Sequence, residues 1–193
     1  MERIGLFGGS FNPVTYGHLC MARAAWEALE LQRLYFIPAS QSPFKPHSPP
    51  APPALRLRWL RLALAGWSGC VVDDVEIRRG GISYTVDTVA EFRRRYPGAE
   101  LFWILGADQA CTLPQWHAAE TLAEWVQFAV CPRPGQPAPA LSPPFRGRVI
   151  EAPAMGVSAS LVRQRAAAGL SLEGLLPAAV AEDLMREKIY HAP

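Results

Sequence analysis

The run Gly8-Gly9-Ser10-Phe11-Asn12-Pro13-Val14-Thr15-Tyr16-Gly17-His18 combines a glycine turn with a histidine. Glycines at a strand exit let an anion reach backbone that a Cβ would screen. A helix start offers unpaired N–H groups and the positive end of the dipole. A histidine in that first turn adds a side-chain donor, so the chemistry is phosphate binding. Singly, a Gly-Gly before a helix or a first-turn histidine is ordinary surface structure; the whole string is far more specific.

Further polar and aromatic residues fall at places where a sheet protein gathers ligands. Ser158, Ser160 and Arg163, at the start of a later helix, bring hydroxyls, amides and a guanidinium, a set suited to a triphosphate. Asp108 follows the apolar run Leu101-Phe102-Trp103-Ile104-Leu105 and Gly106. There a carboxylate can bond a ribose hydroxyl or help to place a magnesium ion, or simply shape a turn. Thr85 opens another helix as its N-cap, a second place for an anionic group. Trp116, on a short loop, reads as a core residue or as a platform for a flat ring. Lys45 lies in a proline-rich loop from Ala39 to Pro53; it is a solvated lysine or, if the loop covers a site, a phosphate ligand.

The positioning elements follow from periodicity. Ile4-Gly5-Leu6-Phe7 is a buried strand, and Leu19, Ala22, Trp26 and Leu29 mark a helix that begins near Gly17 or His18. Leu34–Ile37 is a strand stopped by Pro38. Leu55–Ala65 is a helix ended by Gly66, with Arg56, Arg58 and Arg61 on a solvated face. Val71–Ile77 reads as a strand, and Asp73 and Asp74 receive no role. A helix runs from Val86 to about Tyr96. Leu101–Leu105 is a central parallel strand, Phe128–Cys131 a fifth strand and Val149-Ile150 a sixth. A second proline loop covers Pro132–Pro144. The amphipathic tail Pro177–Tyr190, with proline at its first helical position, packs on the sheet. Strands alternating with helices predict an α/β class: one doubly wound, Rossmann-like domain over residues 1–193, with a mostly parallel sheet.

Composition excludes several classes. Hydrophobic residues make up 50% and charged residues 19%, which describes a globular chain. A net charge of +2 gives no case for a nucleic-acid partner. Cys20, Cys70, Cys111 and Cys131 lack metal-ligand or redox spacing, so no protein-bound metal centre is expected. A reduced, cytoplasmic setting accounts for them. No secretory signal and no membrane span is read. The dinucleotide fingerprint Gly-x-Gly-x-x-Gly is missing after the first strand, which argues against an NAD-dependent oxidoreductase.

The first string resembles the Gly-x-Phe-Asp-Pro-x-(His/Thr)-x-Gly-His signature of the nucleotidylyltransferase superfamily, with Asn12 in the Asp position and Thr15 taking the Thr option. Ile82-Ser83-Tyr84-Thr85, Gly106-Ala107-Asp108, Leu113-Pro114-Gln115-Trp116 and Val157–Arg163 then follow in the order of the bacterial nicotinate mononucleotide adenylyltransferases. Leu176-Pro177 and Ile189-Tyr190 resemble that family's end. The resemblance implies the reaction of ATP with nicotinate mononucleotide to give deamido-NAD and pyrophosphate, with Mg²⁺ carried mainly on the substrate phosphates. It implies catalytic roles for His18, Lys45 and Arg163. It assigns ATP to Gly8, Gly9, Ser10, Phe11, Thr15, His18, Gly106, Asp108, Ser158 and Arg163. The pyridine mononucleotide goes to Tyr84, Thr85 and Trp116. Homo-oligomerisation is left open. The alternatives are pantetheine-phosphate adenylyltransferase, towards which Thr15 leans, and a nucleotide-binding regulator without turnover.

Overall fold

The computed structural model describes residues 1–44, 50–132, 140–153 and 155–190. Strands β1 (Arg3–Gly9), β2 (Arg33–Pro38), β3 (Cys70–Val72), β4 (Glu100–Gly106), β5 (Gln127–Cys131) and β6 (Gly147–Val149) form one sheet in the order β3-β2-β1-β4-β5-β6. Every neighbouring pair is parallel. The order reverses between β1 and β4, which opens a crevice at their C-terminal ends, the place where such sheets take ligands.

Parallel strands buried on both faces alternate between two cores. Phe7, Phe36, Phe102 and Ile104 point to one face. Ile4, Leu6, Tyr35, Ile37, Trp103 and Leu105 point to the other. The first face is covered by α1 (Tyr16–Leu29), α2 (Pro53–Ala63), α7 (Ala159–Ala167) and α8 (Ala178–Glu187) through residues such as Ala25, Trp59, Val162 and Leu184. The second is covered by α4 (Thr85–Arg95) and α6 (Ala119–Trp125), with α3 (Val75–Arg79) and α5 (Ala107–Ala110) as short turns. Helix α8 joins the first core and lies along α2, where Trp59 Nε1 donates to Asp183 Oδ2 at 2.9 Å. Among the described residues, no helix is long and apolar enough to cross a membrane.

Four expectations are corrected. The stretch Val71–Ile77 is a strand only as far as Val72, because Asp73 Oδ1 accepts the Val75 N–H at 2.9 Å and turns the chain into α3. The sixth strand is Gly147–Val149, and a Cβ at Gly147 would fall 1.9 Å from the Phe128 carbonyl oxygen, so only glycine lets β6 approach β5. Caps shift by one residue: Tyr84 caps α4 in place of Thr85, and Pro177 caps α8 instead of lying inside it. Arg58 and Arg61 are exposed as expected, but Arg56 is fully buried. Its helical neighbours at three, four and seven residues are Trp59, Leu60 and Ala63, so it belongs to the buried stripe of α2.

Candidate active site

The chain leaves β1 at Gly9 and reaches α1 through a short loop. The glycines there serve packing. A Cβ on Gly8 would lie 2.5 Å from the Trp103 ring, and one on Gly9 would press at 3.3 Å on Phe11. Both also line the cleft at the strand exit. Gly106, at the β4 exit, has open space where its Cβ would be and lines the same cleft. Phe11 adopts a φ of +44°, a left-handed conformation costly for an aromatic residue. That conformation turns its ring inward, where it is buried against Phe7 and Phe36 and 5.3 Å from the His18 ring. Phe11, expected among the ATP contacts, lines the first cavity and supports His18 from beneath.

Thr15 caps α1, and His18 sits at the third helical position. The Thr15 backbone N–H donates to His18 Nδ1 at 3.1 Å, and the Thr15 hydroxyl lies 2.8 Å from the same nitrogen. Thr15 is fully buried, and its hydroxyl addresses the histidine at the wall of the first cavity. Gly17 serves packing of another kind, since a Cβ there would lie 2.8 Å from the Val157 carbonyl oxygen. Its absence lets α1 and the approach to α7 come together.

That approach brings the second cluster to His18. Ser158 caps α7, its Oγ accepting the Leu161 N–H at 3.1 Å. Arg163 is pinned on two sides, donating through Nη1 to the Asn12 carbonyl at 2.8 Å and through Nη2 to Ser160 Oγ at 3.1 Å. Asn12 Oδ1 accepts from the Ala51 N–H at 3.0 Å and from the Tyr190 hydroxyl. An amide oxygen therefore fills the acceptor role available to the aspartate of the superfamily signature. Burial pushes the Tyr190 hydroxyl up to about 12, so it stays a donor.

The cleft runs through three joined cavities. One, of about 460 Å³, lies between the β1–α1 loop and the start of α7 and is lined by Ser10, His18, Ser158 and Arg163. A second, of about 310 Å³, shares Ser10 and His18 with the first and passes the strand exits at Gly8, Gly106 and Asp108. A third, of about 280 Å³, shares Thr85 and Trp116 with the second and adds Tyr84 and His117. His18 therefore stands where the cationic cavity joins the one that leads on, past Trp116, to the aromatic pocket. Trp116 is half-buried, its Nε1 donating to Thr112 Oγ1 at 3.1 Å and its ring 6.1 Å from Phe44. The Tyr84 ring rests on His117 at 4.4 Å, and Thr85, the first residue of α4, lines the same pocket. Lys45 lies outside the described residues.

Two carboxylates line the cleft. Asp108 is exposed at the β4 exit. Glu76 is buried and accepts the Thr88 hydroxyl at 2.6 Å. Burial raises its carboxyl above the ordinary range, partly offset by hydrogen bonds from Thr88 and Ser83 and by Arg79 nearby. Among the described residues, no three His, Cys, Asp or Glu side chains cluster as a metal cage. One exposed carboxylate beside a phosphate pocket does suit Mg²⁺, which keeps most of its waters and binds through a carboxylate or two plus substrate phosphates.

Sequence reasoning missed Arg56, Glu76 and Tyr190. Arg56 carried a signal, its spacing from Trp59, Leu60 and Ala63. Glu76 carried none once its segment was read as strand, and Tyr190 reaches Asn12 only through the fold.

Comparison with known proteins gives consistent matches. The cytidylyltransferase-like family pattern matches residues 6–165. A probable nicotinate-nucleotide adenylyltransferase of Rhodopirellula baltica is 38% identical over 97% of this chain and 92% of its own. One from Thermomicrobium roseum is 39% identical over 98% and 92%. A solved nicotinic acid mononucleotide adenylyltransferase of Plasmodium falciparum, complexed with NaAD, superposes with a TM-score of 0.82 at 15% identity over 98% of both chains, a likeness of fold.

Proposed function

We propose the chemistry of this cleft on the premise that the chain belongs to the cytidylyltransferase-like family and, within it, to the nicotinate-nucleotide adenylyltransferases. It is an enzyme that transfers the adenylyl group of ATP to nicotinate mononucleotide, releasing pyrophosphate. The observation that carries the site reading is His18 at the junction of the cationic cavity with the one that leads on to the aromatic pocket. That is where the α-phosphorus of ATP and the 5′-phosphate of the acceptor must meet.

In this reading a 5′-phosphate oxygen of nicotinate mononucleotide attacks the α-phosphorus in line. The new P–O bond forms as the bond to the bridging oxygen breaks, and pyrophosphate leaves with that electron pair. No protein nucleophile is needed, so the rate depends on positioning and charge stabilisation. The Thr15 N–H can only donate, so His18 Nδ1 is the acceptor and Nε2 carries the proton. His18 donates that N–H to phosphate oxygens as charge builds. Ser158, the first amides of α7 and Arg163 hold the leaving phosphates. Trp116 stacks on the pyridine, and backbone groups at Tyr84 and Thr85, at the start of α4, receive its carboxylate. Mg²⁺, held by Asp108 and the substrate phosphates, supplies charge neutralisation when bound.

A pyrophosphate-release assay with ATP tests this, offering nicotinate mononucleotide, its amide and phosphopantetheine in parallel. Turnover is expected with the pyridine acid. Turnover of phosphopantetheine with the pyridine nucleotides ignored would move the chain to the pantetheine branch, and nucleotide binding without pyrophosphate would make it a regulator.

A further inference from the structure

The Arg56 guanidinium is buried beneath the phosphate loop, held by carbonyls. Its Nε donates to the Ala51 carbonyl at 2.9 Å, and its Nη1 donates to the carbonyls of Ser10 at 3.0 Å and Ala39 at 2.8 Å. Its Nη2 is buried with no hydrogen-bond partner among the described residues. Among the same residues, no ion pair involves Arg56. Burial pulls this guanidinium below its ordinary range, and the nearby Tyr190 and Glu76 offset that only in part. Taking a charge out of water without full hydrogen bonding is expensive, and an apolar side chain of similar volume would fill the space at less cost.

The three carbonyls show what the side chain does. Ser10 is the residue after β1 and lines both halves of the phosphate cleft. Ala39 is the residue after β2 and lines the second cavity, its own N–H donating to Gly9 at 2.9 Å. Ala51 closes the loop that leads into α2, and its N–H donates to Asn12. The one rigid fork therefore ties three separate chain segments together at their carbonyls, adding to the hydrogen bond that the Ser40 N–H makes to Ser83 Oγ at 2.9 Å. Helix α2, which carries Arg56, is itself braced on α8 by Trp59 and by Arg58 paired with Asp183 at 2.8 Å.

We propose that Arg56 is a positioning residue for adenylyl transfer, gripping the exits of β1 and β2 so that Ser10 and the loop before His18 hold one geometry, and placing a buried positive charge beneath that loop. The planar fork and the charge are separable. Lysine keeps the charge but loses the fork, and methionine loses both.

This inference rests on the adenylyltransferase reading, and the native protein in the same assay tests that reading separately. R56K and R56M are made in the full chain, their folded fractions are set by thermal melting, and kcat and KM are measured per folded molecule by pyrophosphate release. Binding of a non-hydrolysable ATP analogue is measured by calorimetry without acceptor. Folded R56K is expected to lose about 10–10²-fold in kcat, as a small misplacement of reacting groups does, while its affinity for the analogue stays close to native. R56M is expected to lose kcat and to bind the analogue more weakly as well. A purely architectural arginine would lower the melting temperature and leave kcat per folded molecule unchanged. Native kcat and KM in a folded variant of either kind would overturn the proposal.

Discussion

His18 Nδ1 accepts the backbone N–H of Thr15, three residues earlier, and the Thr15 hydroxyl shares the same nitrogen. A backbone amide cannot accept a hydrogen bond, so the contact fixes the tautomer: the ring carries its proton on Nε2. The histidine thereby does two jobs, capping α1 with one nitrogen and presenting a donor with the other.

His18→Ala is expected to lose about 10²–10³-fold in kcat, the usual cost of one donor aimed at developing charge. Part of the α1 cap is lost too, at about 1 kcal/mol of stability. The variant should still fold and bind ATP. A near-normal kcat would remove His18 from the chemistry.

Thr15→Val keeps the branched shape of a fully buried residue and deletes the hydroxyl that helps hold the ring. The loss of one such bond is worth about 0.5–1.5 kcal/mol, or about two- to tenfold in kcat if it is felt in the transition state. The KM for nicotinate mononucleotide should hardly move, because the pyridine pocket is formed by other segments. An unchanged kcat would mean that the amide contact alone orients His18.

Trp116→Ala should weaken the pyridine mononucleotide far more than ATP. Loss of one aromatic platform costs about 1–3 kcal/mol if nucleobase stacking is a guide, about 5–150-fold in acceptor KM. The ring also packs near Phe44 and donates to Thr112, so some melting-temperature loss is expected. A large melting drop with unchanged substrate KM would assign Trp116 to the core alone.

Glu76 makes a prediction about acidity. Its carboxyl is raised by burial, so the fold favours the protonated form. That contribution is fully present below the ordinary carboxylate value and is lost as pH rises through the raised one. Glu76→Gln is neutral throughout and lacks this slope. The stability of native protein minus that of the variant should therefore fall as pH rises above the ordinary carboxylate range in denaturant titrations. A difference that stays flat as pH rises would show that Thr88, Ser83 and Arg79 already balance the burial.

The sequence by itself determined what is local. The unbroken apolar run Leu101–Leu105 set a strand buried on both faces, and the helical stripe Leu19, Ala22 and Leu29 set α1. The ordered motifs from Gly8 to Arg163 singled out Trp116 on its loop together with His18, Asp108 and Ser158, each of which sits at a strand exit or helix start that its neighbours announce. Tertiary structure decided which groups face the cleft and which hold it from behind. Phe11 and Thr15 lie inside the binding string yet turn inward, because a left-handed φ and a helix cap aim them at His18. Arg56 and Arg58 are two residues apart on one helix, but 3.6 residues per turn sends one into the interior and the other to solvent. Asn12 meets Arg163 and Tyr190 across more than a hundred residues, contacts that exist only once β1, α7 and the tail share one face of the sheet. Periodicity reports burial along one element; the partner across the gap is set by how the elements pack, and no spacing within the chain encodes it.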